Sequence, residues 1–353
     1  LTVSFYKLTT RVISFFLSYG RREGFTIMEP FGIKETVLAT SLSSVLAIRA
    51  YKRKSLTFAG AVSAGAVSFL LAGTGLRGLN LFTFYFISIK ATKYKKEYKA
   101  TIDGTIASNN GSSIRGASQV LACSLLATVL SLAHAFYCGA ERAVVFDSPN
   151  VQTNDDSSTT NDIILLSSRL TCGIVAHHAT CLSDTLASEM GILSKSLPRL
   201  ITQPWKSVPS GTNGGVTGTG LFWSAVGGII IGISTVLLDF ISGIDINNAL
   251  TGIGTTSYII RMIMYSLTCG LLGSVLDSLL GATVQKSYFD PDTKMCYQEE
   301  DRRPKTATLV VTQSINILSN ELVNLVSVCL MTFLGGWIIA PLFFRSTTSV
   351  AMR

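Results

Sequence analysis

The chain has 353 residues, of which 48% are hydrophobic and only 14% charged, with a formal net charge of +8 and a mean hydropathy of +0.43. That balance excludes an ordinary soluble domain and a disordered chain, and it points to a membrane protein with about seven to nine helices of roughly 20 residues. Seven cysteines are scattered without CxxC spacing and no cysteine-histidine pattern suits zinc, so neither a disulfide framework nor a zinc finger is implied.

In chain order, residues 1–30 read as an N-terminal extension or targeting piece, because Lys7, Arg11, Arg21 and Arg22 precede nearly all acid and Met28 reads as a start. Residues 31–353 read as a single membrane domain, an all-α bundle of about eight spans. The apolar segments fall near residues 36–51, 56–72, 76–90, 119–138, 162–183, 220–241, 256–281 and 321–344. Arg49, Lys52, Arg53 and Lys54 follow the first, and Lys90, Lys93, Lys95, Lys96 and Lys99 follow the third. Both loops are therefore expected on the cytosolic side. The opposite loops are acidic: Glu141, Asp147, Asp155, Asp156 and Asp162 before the fifth span, Asp239 and Asp245 after the sixth. This alternation makes 89–118 and 184–219 cytosolic loops. The lysines suit anionic lipid headgroups, and nucleic acid binding is not expected because the aromatic-basic surface is missing. His177 and His178 read as packing or helix-helix hydrogen-bonding residues.

Three acids interrupt apolar stretches on that side. Asp184, Ser188 and Gly191 are spaced four and three apart and share a helix face, with Glu189 within a turn. In the seventh span Gly270, Gly273, Asp277 and Gly281 recur at helical spacing, a small-residue face carrying one carboxylate. A carboxylate in a span costs roughly 2.5 to 3.5 kcal/mol, so it normally faces protein or a water-filled site. Hard cations such as magnesium take one or two such carboxylates and complete their shell with water and phosphate. The plain alternative is acids lying at the surface in water.

Between the acids runs Gly211-Thr212-Asn213-Gly214-Gly215-Val216-Thr217-Gly218. Glycine at this density exposes backbone amides that can approach phosphate oxygens, or forms a flexible connector. No GxxxxGK[ST] occurs, and no GxGxxG lies between a strand and a helix. Lys195, Arg199 and Lys206 precede the run and can neutralise phosphate, or simply flank a span.

Four blocks in order resemble the transmembrane protein 19 family, whose relatives include plastid phytyl-phosphate kinases. They are residues 184–191, Pro198-Arg199-Leu200-Ile201-Thr202, residues 208–217, and residues 273–282 beginning Gly273-Ser274-Val275-Leu276-Asp277-Ser278. More distantly, Asp184, Ala187, Gly191, Lys206, Ser207, Gly211 and Thr212 resemble a pattern of dolichol kinases and phosphatidate cytidylyltransferases. The resemblance implies a multi-pass transferase that moves a phosphoryl group from CTP or another nucleotide to an isoprenoid (phytyl or polyprenyl) monophosphate, with Mg2+. It implies Asp184, Asp277 and Lys206 in catalysis, and Asp184, Glu189 and Asp277 on the metal. It also implies Gly211, Thr212, Asn213, Gly214, Gly215 and Thr217 around the nucleotide phosphates. The endoplasmic reticulum is the default location, with the plastid envelope as the alternative. The rival readings are a non-catalytic transporter or assembly factor, whose mark would be carboxylates on an ion pathway and glycine-broken helices, and a lipid cytidylyltransferase.

Overall fold

The computed structural model describes residues 31–104, 116–146, 157–244, 246, 254–298, 304, 309–312 and 315–345. The expected N-terminal extension, and Asp147, Asp155, Asp156 and Asp245 of the acidic loops, lie outside the described residues.

Helices stand at all eight apolar segments. Helix α1 (Ile33–Lys52) and helix α2 (Phe58–Thr74) form a hairpin, with the Thr57 side chain accepting from the Gly60 amide at 3.0 Å to cap α2. A 3-10 turn, Leu76–Leu79, leads into α3 (Asn80–Lys93) and a short α4 (Lys96–Ala100). Then follow α5 (Ala117–Ala122), α6 (Leu125–Tyr137) and the long α7 (Ser157–Gly191). The last helices are α8 (Gly218–Ile241), α9 (Thr255–Val284) and α10 (Asn320–Leu334), which passes through a π turn (Gly335–Ile339) into α11 (Ala340–Phe344). The π turn falls on a glycine pair because α7 lies against it. A Cβ on Gly335 would strike Ala176, and one on Gly336 would come within 2.6 Å of the Arg169 carbonyl oxygen.

Three of these helical stretches are long and apolar enough to cross a membrane: Gly218–Ile241, Thr255–Val284 and Asn320–Phe344, with Phe58–Thr74 and Leu125–Tyr137 shorter but apolar. Helix α7 is absent from that set for a physical reason. Arg169, His177, His178 and several hydroxyls lower its hydropathy, yet residues 170–183 are all buried. A helix sheathed in other helices need not be apolar, because lipid never touches it. It packs against α3, α6, α8, α9 and α10, and Cys172, Val175, Ala176, Ala179 and Leu182 enter one core with Tyr258, Met262 and Tyr265 of α9 and Val328 and Met331 of α10. Of its histidines, His177 links separate helices, reaching the Thr332 hydroxyl at 3.2 Å and the Cys123 carbonyl at 2.9 Å, while His178 is buried with neither ring nitrogen hydrogen-bonded.

Two expectations are corrected. The fold is not purely α-helical: a three-stranded antiparallel sheet, order β2-β1-β3, lies between α7 and α8, formed by β1 (Arg199–Leu200), β2 (Gln203–Ser207) and β3 (Gly215–Val216). A second, order β5-β4-β6, lies between α9 and α10, formed by β4 (Tyr288–Asp290), β5 (Met295–Tyr297) and β6 (Leu309–Val310). Strands of two to five residues are too short to display an alternating pattern. The loop expected at 184–219 also starts late, since α7 continues through Asp184 and Glu189 to Gly191, and 89–118 begins inside α3.

Both sheets, the C-terminal ends of α7 and α9 and the N-terminal ends of α8 and α10 lie at one end of the bundle. The proof is contact: Gly191 abuts Gly220, and Gly214 abuts Ala282. Lys90 and Lys93, at the end of α3, and the lysines of α4 belong to this same lysine-rich end, because Lys99 bonds to Glu189 of α7.

Candidate functional site

Helices α7 and α9 run parallel toward the lysine-rich end and are held close by the small-residue face. A Cβ on Gly273 would collide with Thr180, and one on Gly270 with Ser183. One turn beyond this contact on each helix, four residues after Thr180 and four after Gly273, come Asp184 and Asp277. The register of the glycine face thus brings the two carboxyls to the same level on neighbouring helices, within range for Asp277 to act electrostatically on Asp184. The Ser327 hydroxyl of α10 donates to Asp277 Oδ2 at 2.9 Å. The Asn324 amide nitrogen, in the orientation that satisfies its surroundings, donates to the same oxygen at 3.0 Å. The Ser274 hydroxyl faces Asp184. The ion pairs among the described residues are Arg77–Asp239 and Lys99–Glu189, so neither Asp184 nor Asp277 has a basic partner there. Two adjacent carboxylates repel, and a proton or a cation must offset that repulsion.

Glu189 takes no part in this pair. Five residues beyond Asp184, it has turned about 140° around the helix and meets α3 and α4. Thr92 donates to its Oε1 at 2.8 Å and Lys99 to its Oε2 at 2.6 Å. Lys99 is 1% exposed and donates also to the Ala91 carbonyl at 2.7 Å. Among the described residues no three His, Cys, Asp or Glu side chains converge as a metal cluster. The three-acid set of the sequence reading is therefore two acids together and one engaged elsewhere.

The glycine run is a packed loop. Gly211 and Gly214 adopt φ of +88° and +74°, and a Cβ on Gly214 would collide with Ala282 of α9. The amides of Thr212, Asn213 and Gly215 donate to the Pro209 carbonyl at 3.3 Å, the Ser287 hydroxyl at 2.9 Å and the Thr212 carbonyl at 3.0 Å. The Thr212 hydroxyl donates to the Pro209 carbonyl at 2.6 Å and lies against the Cys296 sulfur; burial pushes that thiol up to about 12, so it remains neutral. Thr217 caps α8, accepting from the Gly220 amide at 3.0 Å. Lys206, exposed on β2, donates to the Val311 carbonyl at 3.4 Å. The run locks the entry of α8 beneath the end of α9.

Ser327, Asn324, Thr92 and Lys99 were not singled out in the sequence. The first two had a legible signal, since Asn320, Asn324 and Ser327 are spaced four and three apart on a largely apolar helix. A second polar cluster was also missed, at the opposite end. Arg77 of the 3-10 turn, 3% exposed, donates to Asp239 of α8 at 2.6 Å, to the Thr171 hydroxyl at 3.2 Å and to the Arg142 carbonyl at 2.9 Å. Tyr258 of α9 donates to the other Asp239 oxygen at 2.9 Å. Asp239, placed in a loop by its charge, is buried in the last turn of α8.

A buried helix wrapped by apolar helices, with a carboxyl pair at one end, defines a polytopic integral membrane protein. The chain belongs to the family described as Integral membrane protein DUF92, which matches residues 41–332. It is similar to Protein PGR of Arabidopsis thaliana, 32% identical over 300 residues that cover 84% of this chain and 94% of that protein. It is also similar to Uncharacterized membrane protein MJ0933 of Methanocaldococcus jannaschii, 32% identical over 114 residues covering 32% of this chain and 40% of that one. No solved structure matches.

Proposed function

We propose that the protein is a nucleotide-dependent lipid-phosphate kinase whose acceptor is an isoprenoid monophosphate and whose chemistry takes place at the lysine-rich, cytosolic end. The observation that carries this reading is the approach of Asp184 and Asp277 from two parallel helices, with no basic side chain paired to either. The resemblance of the four sequence blocks to relatives of the phytyl-phosphate kinases supports it. In the reaction the bond from the terminal phosphorus of CTP, or of another nucleoside triphosphate, to its bridging oxygen breaks. An oxygen of the lipid phosphate forms the new P–O bond, and the nucleoside diphosphate leaves.

The donor set fits magnesium: two carboxylates, with the Ser274, Ser327 and Asn324 side chains orienting them and room in such a shell for water and phosphate oxygens. Bound there, magnesium would neutralise charge on the transferred group. The remaining work is positioning. Ser327 and Asn324 fix the Asp277 carboxylate, the Lys99–Glu189 pair ties α4 to the end of α7, and the Gly211–Thr217 loop sets α8 against it. The lysines offer a positive field to two phosphorylated substrates. In the rival reading, an ion pathway, Asp184 and Asp277 would form one station; Arg77 and Asp239, satisfied by each other and by neighbouring groups, do not offer a second.

The test is a matrix of labelled nucleotides against phytyl and polyprenyl phosphates, with magnesium, on the purified protein in lipid nanodiscs. A lipid diphosphate should form, and Asp184→Asn or Asp277→Asn should lower its rate by roughly 100-fold or more. Undiminished turnover in both variants would remove the role given to the pair.

A further inference from the structure

We propose that the sheet between α7 and α8 is a membrane-surface anchor, in which Trp205 sits among the headgroups of an anionic leaflet with Arg199 and Lys206 beside it. This inference is independent of the kinase reading.

It starts from the register of the sheet. Leu200 pairs with Gln203, but the next residue back, Arg199, pairs with Ser207. Three residues, Pro204, Trp205 and Lys206, are therefore thrown out of the ladder as a bulge on the edge strand, a device that re-aims side chains. The bulge is braced: the Arg199 guanidinium donates to the Pro204 carbonyl at 3.0 Å. The result is an indole held outward, 78% exposed, with Leu197 nearby in the chain at 63%. On its inner side the sheet is anchored, Leu200 and Val208 being buried against Ala282 of α9. A rigid mount thus carries one large aromatic residue into open space.

The position of the mount selects the occupant. Central strand β1 pairs with β2 on one side and with β3 on the other, and β3 runs directly into α8, a helix long and apolar enough to span. The lipid-facing surface of α8 begins in its first turn, with Leu221 40% and Phe222 62% exposed. The hydrocarbon boundary therefore lies about one turn from Thr217, and the sheet attached there stands at headgroup depth. Tryptophan is the side chain favoured at that depth, its ring in the interface and its N–H satisfied by headgroups or water. The exposed cations of this segment, Lys195 ahead of the sheet and Arg199 and Lys206 within it, have no acidic partner among the described residues, which matches a negatively charged leaflet rather than an uncharged one.

The protein has three tryptophans, so Trp223→Phe/Trp337→Phe leaves Trp205 as the sole indole. In nanodiscs containing phosphatidylglycerol, its emission should be blue-shifted, quenched by phospholipids brominated near the headgroup, and shielded from aqueous iodide. Arg199→Glu/Lys206→Glu in this background should reduce the bromine quenching. If the two-phenylalanine background does not fold, the difference in quenching between the wild type and Trp205→Phe gives the same reading. Red-edge emission that iodide quenches and brominated lipid does not would overturn the anchor. Quenching that is equal in purely zwitterionic discs and indifferent to charge reversal would overturn the choice of an anionic leaflet.

Discussion

The two ends of the bundle handle buried charge in opposite ways. At one end Asp239 meets Arg77 and Tyr258, a carboxylate with partners of complementary character. At the other, Asp184 lies within electrostatic range of Asp277, with the Ser274 and Ser327 hydroxyls, the Asn324 amide and the Cys123 thiol about them. The first arrangement is self-sufficient and ties the 3-10 turn, α7, α8 and α9 together. The second needs a proton or a cation to offset the repulsion. Charge in a membrane protein is thus informative through its partners: a satisfied pair holds a fold, whereas a pair of like sign needs compensation, which the proposed function assigns to a bound cation.

Breaking the satisfied pair should have the largest effect on stability. Arg77→Leu leaves a buried carboxylate without its cation and should cost about 3 to 5 kcal/mol, read as thermal unfolding in nanodiscs. The double variant Arg77→Leu/Asp239→Leu should recover most of that loss. Equal losses in the single and double variants would mean that packing, not charge compensation, holds this end.

Next in size is the loop that seats α8 at the other end. Gly214→Ala forces a side chain onto a backbone at φ +74° and into Ala282, and should cost about 2 kcal/mol or more. An unchanged melting temperature would mean that the loop yields easily and is looser than its contacts describe.

Asp184→Asn sharpens the contrast. Removing one of two repelling carboxylates should leave stability within about 1 kcal/mol of wild type, shifted if anything upward, while under the proposed function lipid-phosphate transfer should fall by roughly 100-fold or more. A loss as large as that of Arg77→Leu would make Asp184 a structural residue like Asp239.

The smallest effect is expected at Glu141, in the loop after α6, where Oε1 accepts the Arg77 amide at 3.1 Å. Burial raises its carboxyl above the ordinary value, with the Arg77 guanidinium pulling the other way. A raised acid binds its proton more tightly when folded, so its contribution to stability is complete below the ordinary carboxylate range and declines as pH climbs through the folded value. Glu141→Gln keeps an acceptor for the amide and removes the titration. Its stability relative to wild type should therefore rise with pH across that window, and a parallel pair of pH curves would refute the shift.

Much of this was legible in the sequence because its signals are local. Gly270, Gly273 and Asp277 share one helical face, and that face alone explains why α9 lies against α7 with its carboxyl one turn further on. The eight helical segments followed from their apolar runs. The partner of Arg77 was not legible, because Asp239 lies 162 residues away and nothing in either segment names the other. Lys99 was hidden differently: beside Lys90, Lys93, Lys95 and Lys96 it looks like any solvated base, and only the tertiary fold buries it against Glu189. The glycine run read equally well as an open cradle or a slack connector, since composition does not reveal which amides are engaged.

The π turn at Gly335–Ile339 makes the last helix a two-part device. Before it, Ser327 addresses Asp277; after it, Phe344 packs its ring on Tyr265 and Tyr258, with centroids 5.7 and 6.0 Å apart, and Arg261 captures the Phe343 carbonyl at 2.9 Å. A π turn holds one residue more than an α turn, so deleting a single residue there would swing Pro341–Phe344 by about 100° about the axis. The aromatic clasp would let go while the hydroxyl kept its carboxylate. The wide turn works as a phase shifter, letting a single rod serve two unrelated neighbours at once.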